Sequence, residues 1–284
     1  MKIKTFYALY YRHRFIKASI LLKLYLLITI VFKYTYNLFF LPKTTNLDII
    51  PSKDKLYNSN LNYLFEYFNS DKGDFCYNQY AQPSKQKKDK IIGHGYAKIY
   101  ENFFNKLRES KINILEIGSF YGNASAALNF YFRNANIFSA DINPDMYSYK
   151  GVRLKNFYVD SSSRESIQKN IIDKKIKFDV IIEDASHMLK DQVISFFMLF
   201  PLVEKDGFFI TEEIDFPEKR DDMRIGQKRP DLKTILMEIL YKNDFNSEYI
   251  TEVEKDYVLS NIGKISFFKG NTNEVVIIKK KWIS

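Results

Sequence analysis

Ile112-Asn-Ile-Leu-Glu-Ile-Gly-Ser-Phe-Tyr-Gly-Asn123 is the stretch whose reading decides the fold. Ile112, Ile114, Leu115 and Ile117 make a short apolar run, as a strand buried in a parallel sheet requires. Gly118 interrupts it, Gly122 follows four residues later, and Ala124-Ser-Ala-Ala-Leu128 resumes with helix formers. Strand, glycine turn and helix open a nucleotide-binding βαβ unit, in which small residues let the backbone approach a ligand. The pattern is Glu116-x-Gly118-x-x-x-Gly122. An acidic residue two before the first glycine repels a pyrophosphate and suits a cationic or hydroxyl-rich ligand.

Outward from this turn the βαβ rhythm continues. A helix is expected from about Asn123 to Phe132, then strands at Asn136–Asp141, Asn156–Asp160, Phe178–Asp184 and Gly207–Glu213. Val193, Phe196, Phe197 and Phe200 mark one face of the helix after the fourth strand. A charged loop, 215–231, precedes a helix at Leu232–Tyr241. Lys264–Phe268, the turn Gly270–Asn273 and Val275–Lys279 predict a terminal β-hairpin. Upstream, Leu61, Leu64, Phe65 and Phe68, and again Ile99, Phe103, Phe104 and Leu107, recur at helical spacing. The division expected is a basic hydrophobic arm (1–47), a helical cap (48–110) and a Rossmann-like domain (111–284). Pro83–Lys90 within the cap reads as a solvated loop.

Charge separates the arm from the rest. Residues 1–47 hold eight basic side chains and no acidic one, so the net +9 leaves the remaining 237 residues at about +1. Near-neutrality there argues against a nucleic-acid-binding catalytic domain. Cys76 is the only cysteine, which excludes an internal disulfide or a cysteine-rich zinc site and fits a reducing cytoplasm. Within 1–42, Lys33 divides two charge-free segments, and a central lysine costs a spanning helix about 3 kcal/mol. Projected on a helix, Arg14, Lys17, Lys23 and Lys33 scatter instead of forming one polar face. The reading favoured is a helix at the cytoplasmic membrane interface, with a helix packed on the domain as the alternative.

In an open α/β sheet a ligand sits beyond the carboxyl ends of the strands. Five successive strands here end in acids: Glu116, Asp141, Asp160, Asp184 and Glu212 with Glu213. Asp141, 19 residues after Gly122, suits the hydroxyls of a ribose, and Asp160 the adenine side. Asp184, Glu212 and Glu213 offer hard oxygens to a divalent cation, magnesium in preference to zinc. His187, one of three histidines, follows a strand-end carboxylate by three residues and falls in the expected crevice, which favours a functional histidine over a surface or satisfied core one.

With these motifs in hand, residues 69–284 resemble class I S-adenosylmethionine-dependent methyltransferases, and among them the macrocin/mycinamicin-type sugar O-methyltransferases. The resemblance rests on Asp71-Lys-Gly73, His94-Gly-Tyr96 with Tyr100, Leu115-Glu-Ile-Gly118 with Gly122, Asp141-Ile-Asn-Pro144, Asp179–His187 and Gly207–Ile214. It implies a seven-stranded, mostly parallel sheet and S-adenosyl-L-methionine bound through Glu116, Gly118, Gly122, Asp141 and Asp160. It also implies Mg2+ on Asp184, Glu212 and Glu213, with His187 as base for a sugar hydroxyl. Tyr96, Tyr100 and the 215–231 loop are candidates for enclosing the site. Ala185 stands where glycine is usual and Glu213 where aspartate is usual. A nicotinamide-dependent reductase is the rival reading, weakened by the missing third glycine and the lack of Tyr-x-x-x-Lys. A non-catalytic membrane-tethered binding module is the other. The acceptor and the oligomeric state, a homo-oligomer included, stay open.

Overall fold

A seven-stranded sheet runs through the centre of the computed structural model, which describes residues 2–11, 15, 18–40 and 43–281. Its strands are β1 (Asn113–Ile117), β2 (Asn136–Asp141), β3 (Leu154–Tyr158), β4 (Phe178–Glu183), β5 (Val203–Glu212), β6 (Ile262–Lys269) and β7 (Glu274–Lys280). Their order is β6-β7-β5-β4-β1-β2-β3. β7 pairs antiparallel with both β5 and β6, and all the other pairings are parallel. β1 therefore lies at the centre, beside the reversal of strand order where such sheets place a ligand.

Successive side chains of a strand leave the sheet on opposite faces, and the apolar residues of the central strands divide accordingly. Leu115, Ile117, Ile181, Phe209, Val276 and Ile278 enter one core. Ile114, Val180, Ile182, Ile210, Val275 and Ile277 enter the other. Helices cover both faces, as parallel strands buried on two sides demand. Among the described residues the helices longer than five residues are, in chain order, α1 (Ile3–Tyr10), α2 (Ile20–Leu38), α3 (Leu61–Tyr67), α4 (Ala97–Phe104), α5 (Asn123–Tyr131), α6 (Arg164–Asn170), α7 (Leu189–Leu199), α8 (Leu232–Lys242) and α9 (Glu252–Asn261), of which α1 and α2 stand apart from the sheet. Leu61, Leu64, Phe65, Tyr100 and Phe104 pack with Ala126, Leu128 and Phe130 in the second core. Residues 48–110 thus share the core of the sheet instead of building their own.

Several boundaries differ from the sequence reading. The third strand is Leu154–Tyr158, and β5 starts at Val203 because Val203 pairs with Phe178 ahead of an irregularity in register. α6 and α9 have too little apolar periodicity to be anticipated, although Thr251 and Glu254 form a reciprocal cap at the start of α9. Phe75–Tyr77 and Lys90–Ile92 form a two-stranded antiparallel ribbon within the cap, and Pro83–Lys90 is its connection. That loop is not simply solvated, since Gln86 donates to the Gln79 carbonyl (3.0 Å) and to the Tyr121 hydroxyl (3.2 Å).

In the arm, Phe6, Tyr10, Tyr11, Leu26 and Ile30 form a small separate core between α1 and α2. Of the four charges projected, two are described. Lys23 and Lys33 stand on the side of α2 turned toward α1, over the rings of Phe15 and Tyr11. Arg14 and Lys17 lie outside the described residues.

Candidate active site

The strand ends converge on a cleft of about 150 Å³ whose lining includes Asp71, Lys72, Glu116, Gly118, Ser119, Phe120, Tyr121, Asp141, Asp184 and His187. Its floor is the β1–α5 turn. Gly118 and Ser119 both donate their N–H to the Ala140 carbonyl (2.8 and 3.2 Å), which folds the turn back over β2. Gly118 has φ +88°, and a Cβ there would stand 1.9 Å from the Asp184 carbonyl oxygen. Gly118→Ala is therefore expected to cost about 2 kcal/mol or more, through the left-handed backbone and the displacement of β4's end. Urea unfolding measures this, and a loss below about 0.5 kcal/mol would show that the two strand ends are not in contact. Gly122 caps α5 with φ +80° against the Tyr147 ring.

Asp141 is buried, with one carboxylate oxygen accepting from the Phe120 N–H (2.8 Å) and the other from the Asn143 N–H (2.7 Å). Burial raises its pKa against these two bonds. Each oxygen keeps a lone pair for a further donor. Glu116 accepts from the Ser125 hydroxyl and lies 3.8 Å from the Lys72 ammonium. Burial pushes its carboxyl up to about 7 although Lys72 and Ser125 oppose the shift. Asp160 is not in the lining; its carboxylate accepts from the backbone N–H (3.0 Å) and the hydroxyl (2.6 Å) of Ser162. The serine run that follows Asp160 closes on it.

Opposite the glycine turn stand the ends of β4 and β5. The Asp184 N–H donates to the Ile117 carbonyl (2.9 Å), tying the β4 end to the glycine turn. His187 Nε2 lies 2.8 Å from Glu213 Oε2 and 3.7 Å from Asp184 Oδ1. Burial alone would lower the imidazole pKa; the hydrogen bond and charge of Glu213, with Asp184 and Glu183, outweigh it and raise it to about 9. Glu213 shifts the other way: burial would raise it, but His187 wins and holds it below its ordinary value. Asn273 donates to Glu213 Oε1 (2.8 Å), and His94 Nε2 lies 3.3 Å from the same oxygen. His187 and Glu213 both have left-handed backbones (φ +56° and +51°), and so does Phe120 (φ +47°). Such conformations cost about 1–3 kcal/mol each and cluster where chemistry overrides backbone preference.

Glu212 does not join Glu213. Its carboxylate is fully buried, accepting from the Lys72 ammonium (2.8 Å) and the Tyr100 hydroxyl. β5 ends at Glu212, and the left-handed backbone of Glu213 just beyond it carries that carboxylate to His187 while Glu212 stays in the core. The groups able to share an ion are therefore Asp184, His187 and Glu213. Tyr96 and Tyr100 are also placed differently from the enclosing role expected of them. Both are fully buried, and Tyr96 stacks on His94 at 5.3 Å. Of the 215–231 loop, Phe216 does reach the site, edge-on to His187 at 5.2 Å.

Lys72 is the residue that sequence reasoning missed. It is 1% exposed and binds Asp184 and Glu212 directly. Burial would lower its pKa, but Asp184, Glu212, Glu116 and Asp71 hold it well above the ordinary lysine value. Its signal was present in Asp71-Lys-Gly73, a motif with no role attached. His94, Phe120 and Asn273 were likewise not singled out for the site.

No protein-family model matches the chain. It is 25% identical over 132 residues to an 8-demethyl-8-(2-methoxy-α-L-rhamnosyl)-tetracenomycin-C 3'-O-methyltransferase of Streptomyces olivaceus, covering 43% of this chain and 33% of that one. A mycinamicin VI 2''-O-methyltransferase of Micromonospora griseorubida is 25% identical over 128 residues, 43% of this chain and 32% of that one. The chain thus spans about a third of the length of the curated relatives it matches. Among solved structures, the MycE methyltransferase from the mycinamycin biosynthetic pathway, in complex with Mg, SAH and mycinamycin VI, superposes with a TM-score of 0.60. Identity is 18%, over 79% of this chain and 55% of that one. The protein has the class I S-adenosylmethionine-dependent methyltransferase fold, and the curated proteins it resembles are sugar O-methyltransferases.

Proposed function

We propose that the protein is an S-adenosylmethionine-dependent O-methyltransferase acting on a hydroxyl of a sugar or glycoside. The observation that carries the reading is the meeting of His187, Asp184 and Glu213 across one cleft from the glycine turn and Asp141. Gly118 and Ser119 present the backbone to the cofactor, and Asp141 accepts from its ribose. Asp71 lines the same cleft, and its carboxylate favours a sulfonium and an α-amino group.

The methyl group of a sulfonium is already activated. The protein has to hold it in line with the acceptor oxygen and remove the acceptor's proton. His187 takes that proton on its imidazole, and Glu213 steadies the imidazolium that results. A magnesium ion fits the donor set. Asp71, Glu116, Asp184, Glu212 and Glu213 crowd around one lysine, and two of them, Asp184 and Glu213, reach the position shared with His187. Asp184 and Glu213 would hold the ion, while Lys72 and Tyr100 keep Glu212 apart. Bound there, the ion would supply positive charge that lowers the pKa of an acceptor hydroxyl and offsets the carboxylates that otherwise hold the His187 imidazole protonated. A glycosylated polyketide or macrolide is an acceptor class suggested by the relatives' names.

Calorimetric titration with S-adenosylmethionine, with and without magnesium, tests the reading on wild type and Asp141→Ala. The wild type is expected to bind, and the variant at least about tenfold more weakly, a loss of 1.4 kcal/mol. Absence of binding by the wild type in both conditions would overturn the methyltransferase reading.

A further inference from the structure

The 19-residue helix α2 presents two unlike faces. Leu26, Ile30 and Asn37 are buried on the inner one, with Lys23 and Lys33 beside them. The lysine ammonium groups rest over aromatic rings, Lys23 5.6 Å from Phe15, and Lys33 5.6 Å from Tyr11 and 5.4 Å from Tyr25. The outer face carries no charge. Leu21, Leu24, Ile28 and Phe32 stand there at helical spacing, each more than half exposed, and Val31 and Phe39 widen the stripe. Among the described residues α2 is the one helix long and apolar enough to cross a membrane, and most of it is not buried. Single exposed leucines are ordinary, but a continuous apolar helix face is a contact surface.

The helix is held in place by its other side. The Ser84 N–H donates to Asn37 Oδ1 (3.3 Å), and Gln82 donates to the Tyr11 hydroxyl (3.1 Å). The Tyr10 and Tyr121 hydroxyls share a hydrogen bond of 2.5 Å. The outer face is therefore presented by a braced arm, and Tyr121 links that arm to the lining of the cofactor cleft.

We propose that α2 docks the protein on an anionic lipid surface, with Leu21, Leu24, Ile28 and Phe32 entering the acyl boundary. Charge selects lipid over a second copy of the chain. Residues 1–47 carry eight basic groups and no acidic one, so two arms repel each other, whereas anionic headgroups attract them. The inference is independent of the methyl acceptor and of the cofactor.

The test is co-sedimentation of the full chain with phosphatidylglycerol–phosphatidylcholine vesicles, for wild type and for Leu24→Glu/Ile28→Glu. Both substituted residues are exposed and lie outside the cleft, and an unchanged thermal transition confirms that the variant folds. The wild type is expected to pellet with the vesicles and the double variant to bind at least about tenfold more weakly. Equal pelleting of the two, or a wild type left in the supernatant, would overturn the proposal. So would a concentration-dependent dimer that forms without vesicles and is lost in the variant, since it would assign the face to a second copy.

Discussion

His187→Ala is expected to lower the rate of methyl transfer by about 10²–10⁴-fold while cofactor affinity stays close to that of the wild type. The magnitude is that of a general base removed from a reaction whose electrophile is already activated. The separation of the two effects follows from the geometry. The proposed cofactor contacts are Gly118 and Ser119 in the β1–α5 turn and Asp141 at the end of β2, whereas His187 follows the β4 end and bonds Glu213 at 2.8 Å. Transfer of a labelled methyl group to a panel of alkyl rhamnosides and glycosylated polyketides measures the rate, and calorimetry the affinity. A variant that keeps more than about a tenth of the rate would move the base elsewhere. The substitution also bears on stability in metal-free protein. With its folded-state pKa raised from 6.5 to about 9, His187 stabilises the fold fully below about pH 6.5. That contribution is lost as pH rises through about 9.

Lys72→Met is expected to destabilise the protein by about 3–5 kcal/mol, the cost of leaving buried carboxylates without their counter-charge. Lys72 touches Asp184 and Glu212 directly and lies 3.8 Å from Glu116, and its side chain is closed off from solvent. Methionine keeps the unbranched stem, one atom shorter, and removes the charge with its hydrogen bonds. Urea unfolding of the single variant measures the cost. The double variant Lys72→Met/Glu212→Gln is expected to recover part of it, since the most enclosed carboxylate is then neutral. A single-variant loss below about 1 kcal/mol would mean that the acids are protonated in the folded state and need no lysine.

Much of the fold was legible because burial on two faces leaves a mark in the chain. The apolar runs of β1, β4 and β5 and the Gly118–Gly122 turn announce a parallel sheet before any coordinate is known. α9 was not legible from apolar periodicity, because only Val258 of its ten residues is buried. The short ribbon Phe75–Tyr77 with Lys90–Ile92 gives three residues a side, too few for an alternation to register.

The candidate site divides along similar lines. Sequence alone brought out Asp141, Asp184, His187 and the adjacent acids Glu212 and Glu213, because strand ends in an open α/β sheet face the ligand. Only the tertiary structure decided which acid does what. The left-handed turn after β5 carries Glu213 to His187, while Glu212, the last residue of the strand, lies in the core against Lys72 and Tyr100. Likewise, Ser162 holds the Asp160 carboxylate, which stands outside the lining of the cleft. Lys72 reaches its partners across 44, 112 and 140 residues of chain, to Glu116, Asp184 and Glu212, and no local pattern encodes a contact of that span. Local sequence determines which strands form and which faces they bury, by the period of their apolar residues. The charge balance of the site depends on which distant side chains share one dry volume, and packing alone sets that.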